Sequence, residues 1–329
     1  MQNQFLRKLR NLQEFNPEEQ NDNRQPAGSF LKGLSPFAYV ILVLAIIFFL
    51  YQFIGGALAL AAGDMNLDNP NVKITRIILS FGQFMFILAP AVFFARLQTH
   101  DLKSTFRLNK PKPVLLLLAV LGIVMIQPFL QGYMYFQEQL INSIPFLSDG
   151  LKPLRDVFDS FESSTMKIVK AHNWFEFSVV VFVICITPAI CEEALFRGFA
   201  MSNLRKVYKP FMAIFTTGFL FALYHFQPFN IVPLLILGFY LGFIVYFSNS
   251  LYLGILAHFL NNFFASYYMF VYGKPEFETP RLAGDELTDT IIAVILSVLV
   301  FTSIIILFYR LRVKTAAVPE ITESGAVNE

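Results

Sequence analysis

The chain has 329 residues, of which 56% are hydrophobic and only 15% charged, where soluble domains carry about 25% charged residues. That deficit excludes an ordinary soluble enzyme and predicts an all-α, polytopic membrane helix bundle. The net charge of +2 leaves no footprint for nucleic acid, and the two cysteines, Cys185 and Cys191, sit in one apolar run and imply no disulfide framework.

In chain order, residues 1–35 are polar, lack the short apolar core of a signal peptide and read as a disordered cytoplasmic tail. Eight apolar stretches follow, at Pro36–Ala62, Ile74–Leu97, Pro113–Phe136, Trp174–Met201, Phe211–Phe226, Ile231–Phe247, Leu251–Tyr272 and Thr288–Tyr309. A spanning helix needs about 20 mostly apolar residues, which the fifth and sixth barely supply. The runs are too long and unbroken for barrel strands. The longest loop, Gln137–Asn173, contains a stretch (151–170) that mixes apolar and charged residues at helical spacing. It reads equally as an interfacial helix or as a solvated loop helix. The bundle is thus expected over 36–312, with a second disordered tail at 313–329.

Loop charge supports the count. Basic clusters precede the first span (Arg7, Lys8, Arg10, Arg24, Lys32) and separate the second from the third (Lys103, Arg107, Lys110, Lys112). Others separate the fourth from the fifth (Arg205, Lys206, Lys209) and follow the last (Arg310, Arg312, Lys314). Eight spans put all of them on one side, opposite the acidic or mixed loops Asp64–Asp68 and Glu276–Glu286. The positive-inside rule then makes both termini cytoplasmic. The short loops suit a multi-pass protein of a bacterial cytoplasmic membrane.

The fourth span holds two adjacent glutamates, Glu192 and Glu193, with Arg197 just beyond. A charge at the bilayer centre costs about 2.5–3.5 kcal/mol even on the lenient insertion scale, so ionisable groups there usually serve a function. Residues four apart share a helix face, which lets Glu193 pair with Arg197. Glu192 points about 100° away and is left to take or give a proton. Pro188, four residues earlier, lacks an N–H and predicts a kink beside it. The plain structural reading of the Glu193–Arg197 pair is a salt bridge locking two helices.

Only four histidines exist. His100 and His172 fall in loops; His225 and His258 fall in apolar spans. His225 follows Phe221 by four residues, so the phenyl ring can orient the imidazole. His258 and Asn262, again four apart, can both donate hydrogen bonds toward a developing oxyanion. Interhelical polar packing is the structural alternative for each. Depth poses a problem. His225 lies about 21 Å from the start of its span and His258 about 10 Å from the start of its own, at 1.5 Å per residue. They meet only if span five is deeper or tilted, or if span seven begins in the Ser248–Leu251 turn inside the bundle.

The ordered set Glu192-Glu193-Ala-Leu-Phe-Arg197, Phe221-Ala-Leu-Tyr-His225 and His258-Phe-Leu-Asn-Asn262, on separate membrane helices, resembles the CPBP or Abi family. That family includes the type 2 CAAX prenyl endopeptidases. The resemblance covers about 174–272. It implies an intramembrane endopeptidase acting on a membrane-associated or lipidated protein or peptide within the bilayer. On that analogy Glu192 is the general base that activates a water, His225 helps hold it, and His258 and Asn262 form the oxyanion site. Glu193, Arg197 and Phe221 would support them. Zinc held by Glu192, His225 and His258 and a metal-free glutamate mechanism both fit the motifs; the helix signature HExxH is absent. The rival readings are a transporter or channel with a Glu/His relay, for which no inverted repeat is visible, and a non-catalytic immunity or scaffold protein. Oligomeric state is not legible.

Overall fold

The computed structural model describes residues 33–62, 71–273 and 285–312. Residues 1–32 and 313–329 of the expected tails lie outside the described residues, as do the acidic loop Asp64–Asp68 and residues 276–284. Among the described residues the chain is helical throughout, without strands. The principal helices are α1 (Pro36–Leu58), α2 (Val72–Arg96), α3 (Pro113–Ser143), α4 (Pro145–Val169) and α5 (Trp174–Leu204). They continue with α6 (Pro210–Tyr224), α7 (Ile231–Ser248), α8 (Leu251–Tyr272) and α9 (Asp285–Leu311).

Local chemistry sets the boundaries. Ser35, Asn71 and Asn173 each cap a helix, their side-chain oxygens accepting from the backbone N–H of Ala38, Ile74 and Glu176. Pro36, Pro113, Pro145 and Pro210 open helices where a missing N–H costs nothing. Asn249 (φ 53°) and Gly273 (φ 70°) close α7 and α8 in the left-handed conformation.

Among the described residues six helices are long and apolar enough to cross a membrane by length and composition. Two of the expected spans are not among the six. α6 is apolar but has only 15 residues. α8 has 22, with His258, Asn261 and Asn262 in its middle. The long loop is mostly helix: 137–143 prolongs α3 and α4 takes up 25 residues. α4 is tied to the bundle at two places. Arg155 binds both carboxylate oxygens of Glu138 at 2.8 and 2.7 Å, and Arg76 donates to the carbonyls of Ile168 and Lys170 at its far end.

α5 is the axis of the bundle. From Leu195 to Leu204 nearly every side chain is buried, Arg197 included. α2 runs parallel to it, Ser80 Oγ meeting Thr187 Oγ1 at 3.1 Å. α6 and α7 form a hairpin pressed together at Gly218 and Gly238. A Cβ on Gly218 would stand 2.8 Å from the Phe239 nitrogen, so only glycine permits this approach. α9 packs along α3, where Val294 occupies the notch at Gly132.

The helix ends that carry basic clusters gather at one end of the bundle. Phe37 contacts Tyr208, and Phe247 contacts Tyr309. The segment between α2 and α3 turns inward there. Phe106 fills the notch at Gly198, Arg107 donates to the Arg197 carbonyl at 2.7 Å, and the Arg107 carbonyl accepts from Leu251 N. Ser250 and Leu251 are therefore buried, at 0% and 3% exposure. α8 starts inside the bundle, and this settles the depth problem of the two histidines.

Candidate active site

Pro188 has no N–H to offer the carbonyl four residues back, that of Ile184. Asn262 Nδ2, from α8, donates to that carbonyl at 3.1 Å. On either side of this point α5 widens into i→i+5 turns, at Val181–Ile186 and Ala194–Ala200. Such turns often mark functional sites. The glutamate pair sits between them.

The two carboxylates have different surroundings. Glu193 is fully buried. Its Oε1 accepts from Arg197 NH1 at 2.6 Å and faces His258 Nδ1 at 3.1 Å. Its Oε2 lies against Gly254, whose missing side chain leaves it room: a Cβ there would stand 2.6 Å away. Arg197, also fully buried, sends NH2 to the Gly238 carbonyl at 2.9 Å and stacks its guanidinium over Phe221 at 4.5 Å. The hairpin glycine thus serves two purposes, close packing and presentation of a carbonyl to Arg197. Glu193 Oε2 and Arg197 Nε are left without a hydrogen-bond partner among the described residues, so the pair is held at a cost.

Glu192 keeps 16% of its side chain exposed, and His225 keeps 26%. Glu192 Oε2 stands 3.7 Å from His225 Nε2 and has no hydrogen-bond partner among the described residues. His225 ends α6, where its Nδ1 lies 2.8 Å from the Phe221 carbonyl. A carbonyl can only accept, so Nδ1 carries a proton, and in the neutral ring Nε2 presents a lone pair.

Phe221 joins the parts. Its ring is 4.5 Å from that of His225, 5.9 Å from that of His258 and edge-on to Phe196. The structure therefore brings Glu192, Glu193, Arg197, Phe221, His225, His258 and Asn262 into one region where α5, α6 and α8 meet. Among the described residues no three His, Cys, Asp or Glu side chains group to hold a metal, so the zinc option that the motifs left open is not preformed here. His258 Nδ1 faces Glu193, which leaves its Nε2 free.

Several neighbours have no counterpart in the motif reading. Gln127 of α3 donates to Asn261 Oδ1 at 3.0 Å, and Asn261 Nδ2 donates to Asn262 Oδ1 at 3.2 Å. Asn261 thus both contacts another helix, α3, and orients Asn262. Tyr51 of α1 and Tyr224 of α6 are within electrostatic reach of Glu192 and of each other, and Tyr51 interacts with Gln83 of α2. Lone amides in apolar spans were a usable signal for Gln83 and Gln127. The tyrosines gave none, because aromatic residues are common throughout these helices.

No curated protein and no solved structure matches the chain significantly. The protein is an integral, multi-pass membrane protein. Residues 174–264, which contain all three motifs, match the family model described as type II CAAX prenyl endopeptidase Rce1-like, and in this segment the chain is similar to that family.

Proposed function

We propose that the protein is an intramembrane endopeptidase that hydrolyses a peptide bond of a membrane-associated or lipidated polypeptide, with Glu192 as general base. The observation that carries this reading is the approach of Glu192 Oε2 to His225 Nε2, 3.7 Å apart, with Nδ1 of the same ring facing the Phe221 carbonyl. With the ring neutral, two lone pairs face each other and repel unless a donor stands between them, and a water has two protons to give. Such a water would present its own lone pair to a substrate carbonyl.

In the reaction, the water oxygen forms a bond to the carbonyl carbon as Glu192 takes a proton from it. The carbonyl electron pair moves onto oxygen. His258, its Nδ1–H anchored on Glu193 and its Nε2 protonated, donates to that oxyanion together with the second Nδ2 hydrogen of Asn262. Collapse of the tetrahedral species breaks the C–N bond, and the departing amine takes the proton from Glu192. Arg197 balances the charge of Glu193, so that the carboxylate can hold His258 without itself becoming a second base.

Eight spans with cytoplasmic basic clusters remain the topology we favour, in a bacterial cytoplasmic membrane. His225 then lies at the end of the bundle away from the cytoplasm, and substrate approaches from that half of the bilayer. The bundle is assigned to 36–312, with its catalytic core at 174–272.

The test is cleavage of a fluorogenic farnesylated CAAX-type peptide, and of its unprenylated form, by the purified protein in liposomes, with and without chelator. Wild type is expected to cleave and Glu192→Gln to be inactive while inserting normally. Full proteolysis by Glu192→Gln would remove Glu192 from the mechanism. Loss of wild-type activity on chelation would show that a metal takes part.

A further inference from the structure

Glu192 also has neighbours that the motifs do not include, on α1 and α6, with α2 behind them, and α1 and α2 lie outside the segment that matches the family model. There the Tyr224 hydroxyl is buried and without a hydrogen-bond partner, its ring held edge-on between Phe48 and Phe196 at 5.4 Å from each. Gln83 is 8% exposed, and its Oε1 is also buried and without a partner. Tyr51 joins the two, interacting with the Gln83 side chain and lying within electrostatic range of both Tyr224 and Glu192.

The placement is fixed by the packing. The Ser80–Thr187 contact sets α2 against α5 so that Gln83 comes one turn further along, level with the segment that leads into Glu192. Tyr51 rests against Gly82, where a Cβ would meet its ring at 3.7 Å. Tyr224 and His225 are consecutive and so point about 100° apart.

One unmet donor and one unmet acceptor, both within reach of Tyr51 in apolar surroundings, carry a cost that a native structure rarely tolerates without use. Together they complement a single chemical group, the peptide amide, whose C=O accepts and whose N–H donates. We propose that Tyr224 and Gln83, with Tyr51 as their support, form a main-chain subsite that grips a peptide unit of an extended polypeptide next to the scissile bond. The Tyr224 hydroxyl donates to the substrate carbonyl, and Gln83 Oε1 accepts from the substrate N–H. The subsite is indifferent to side chains and holds the backbone in register against Glu192. It presupposes the endopeptidase reading above.

The experiment compares wild type, Tyr224→Phe and Gln83→Leu on the farnesylated peptide probe and on a series of probes in which one backbone N–H near the scissile bond is replaced by an ester oxygen. Each variant is expected to raise KM about 5–10-fold, the loss of one neutral hydrogen bond, with the pH profile of kcat unchanged. One ester probe should lose a similar factor with wild type yet be cleaved by Gln83→Leu no worse than the parent peptide. Binding of the uncleaved probe to Glu192→Gln, with and without Tyr224→Phe, reads the same contact if the variants turn over too slowly. If wild type does not cleave the probe, the endopeptidase reading fails. If wild type cleaves and Tyr224→Phe and Gln83→Leu match it in KM and binding, the subsite alone is overturned. It is equally overturned if every ester probe loses the same factor with Gln83→Leu as with wild type.

Discussion

His225 Nε2 faces Glu192 Oε2 at 3.7 Å while His225 Nδ1 is committed to the Phe221 carbonyl at 2.8 Å. The imidazole is therefore fixed in one tautomer and turned toward the glutamate by its own helix. His225→Ala removes one of two groups that hold the attacking water. A fall in kcat of about 10²–10⁴-fold is expected, with insertion and expression unchanged. Single-turnover kinetics on the peptide probe would measure it, and an unimpaired kcat would exclude His225 from the chemistry.

The two glutamates should separate by stability. Glu193→Gln leaves Arg197 as an uncompensated charge at 0% exposure. Breaking such a pair costs about 3–5 kcal/mol. Thermal unfolding in detergent should show Glu193→Gln far less stable than wild type, and Glu192→Gln close to it. Equal melting temperatures for the two variants would contradict the division of roles.

Asn262 should affect kcat rather than KM. Its amide is placed by the Ile184 carbonyl on one side and by Asn261 and Gln127 on the other. On the proposed mechanism Asn262→Ala deletes an oxyanion donor, and a loss of about 10²–10³-fold is expected. Gln127→Ala only loosens the chain behind it and should lose much less. A larger loss for Gln127→Ala than for Asn262→Ala would place the important group elsewhere.

Three glycines offer a steric test. Gly218→Ala would push a methyl against the backbone of α7, which cannot rotate away, and Gly254→Ala would press on Glu193 Oε2 and Val245. Overpacking of this kind costs about 1–3 kcal/mol. Gly56 has nothing within 4 Å of a built Cβ, so Gly56→Ala should be silent. Melting temperatures of the three variants decide it. For Gly254→Ala, activity should fall as well, because Glu193 positions His258.

The orientation of the site can be read by labelling. Phe226, next to His225, is 69% exposed, and Val207, at the basic end, is 48% exposed. The native Cys185 and Cys191 are both buried. In intact cells a membrane-impermeant maleimide should modify Phe226→Cys and spare Val207→Cys. The reverse pattern would turn the site toward the cytoplasm and overturn the proposed topology.

Much of this was written in the order of residues. The apolar runs, their proline and asparagine boundaries and the four basic clusters are local features, and the i, i+4 spacing of Glu193 and Arg197 is enough to pair them on one helix. The Phe221–His225 relation is legible for the same reason. Partners on other helices were not legible. Nothing in the spacing says that His258 binds Glu193 rather than Glu192.

What the sequence determined by itself was a helical membrane protein with a glutamate pair of unequal fate, because helix periodicity and the cost of charge in lipid act within a few residues of each other. What only the tertiary structure decided was the company each group keeps. The inward turn of Phe106 and Arg107 starts α8 deep enough for His258 to reach Glu193. The glycine contact between α6 and α7 brings the Gly238 carbonyl to Arg197, and α1 and α2 bring together Gln83 and Tyr51, the latter within electrostatic reach of Glu192. These depend on how helices distant in sequence pack against one another, which no local pattern encodes.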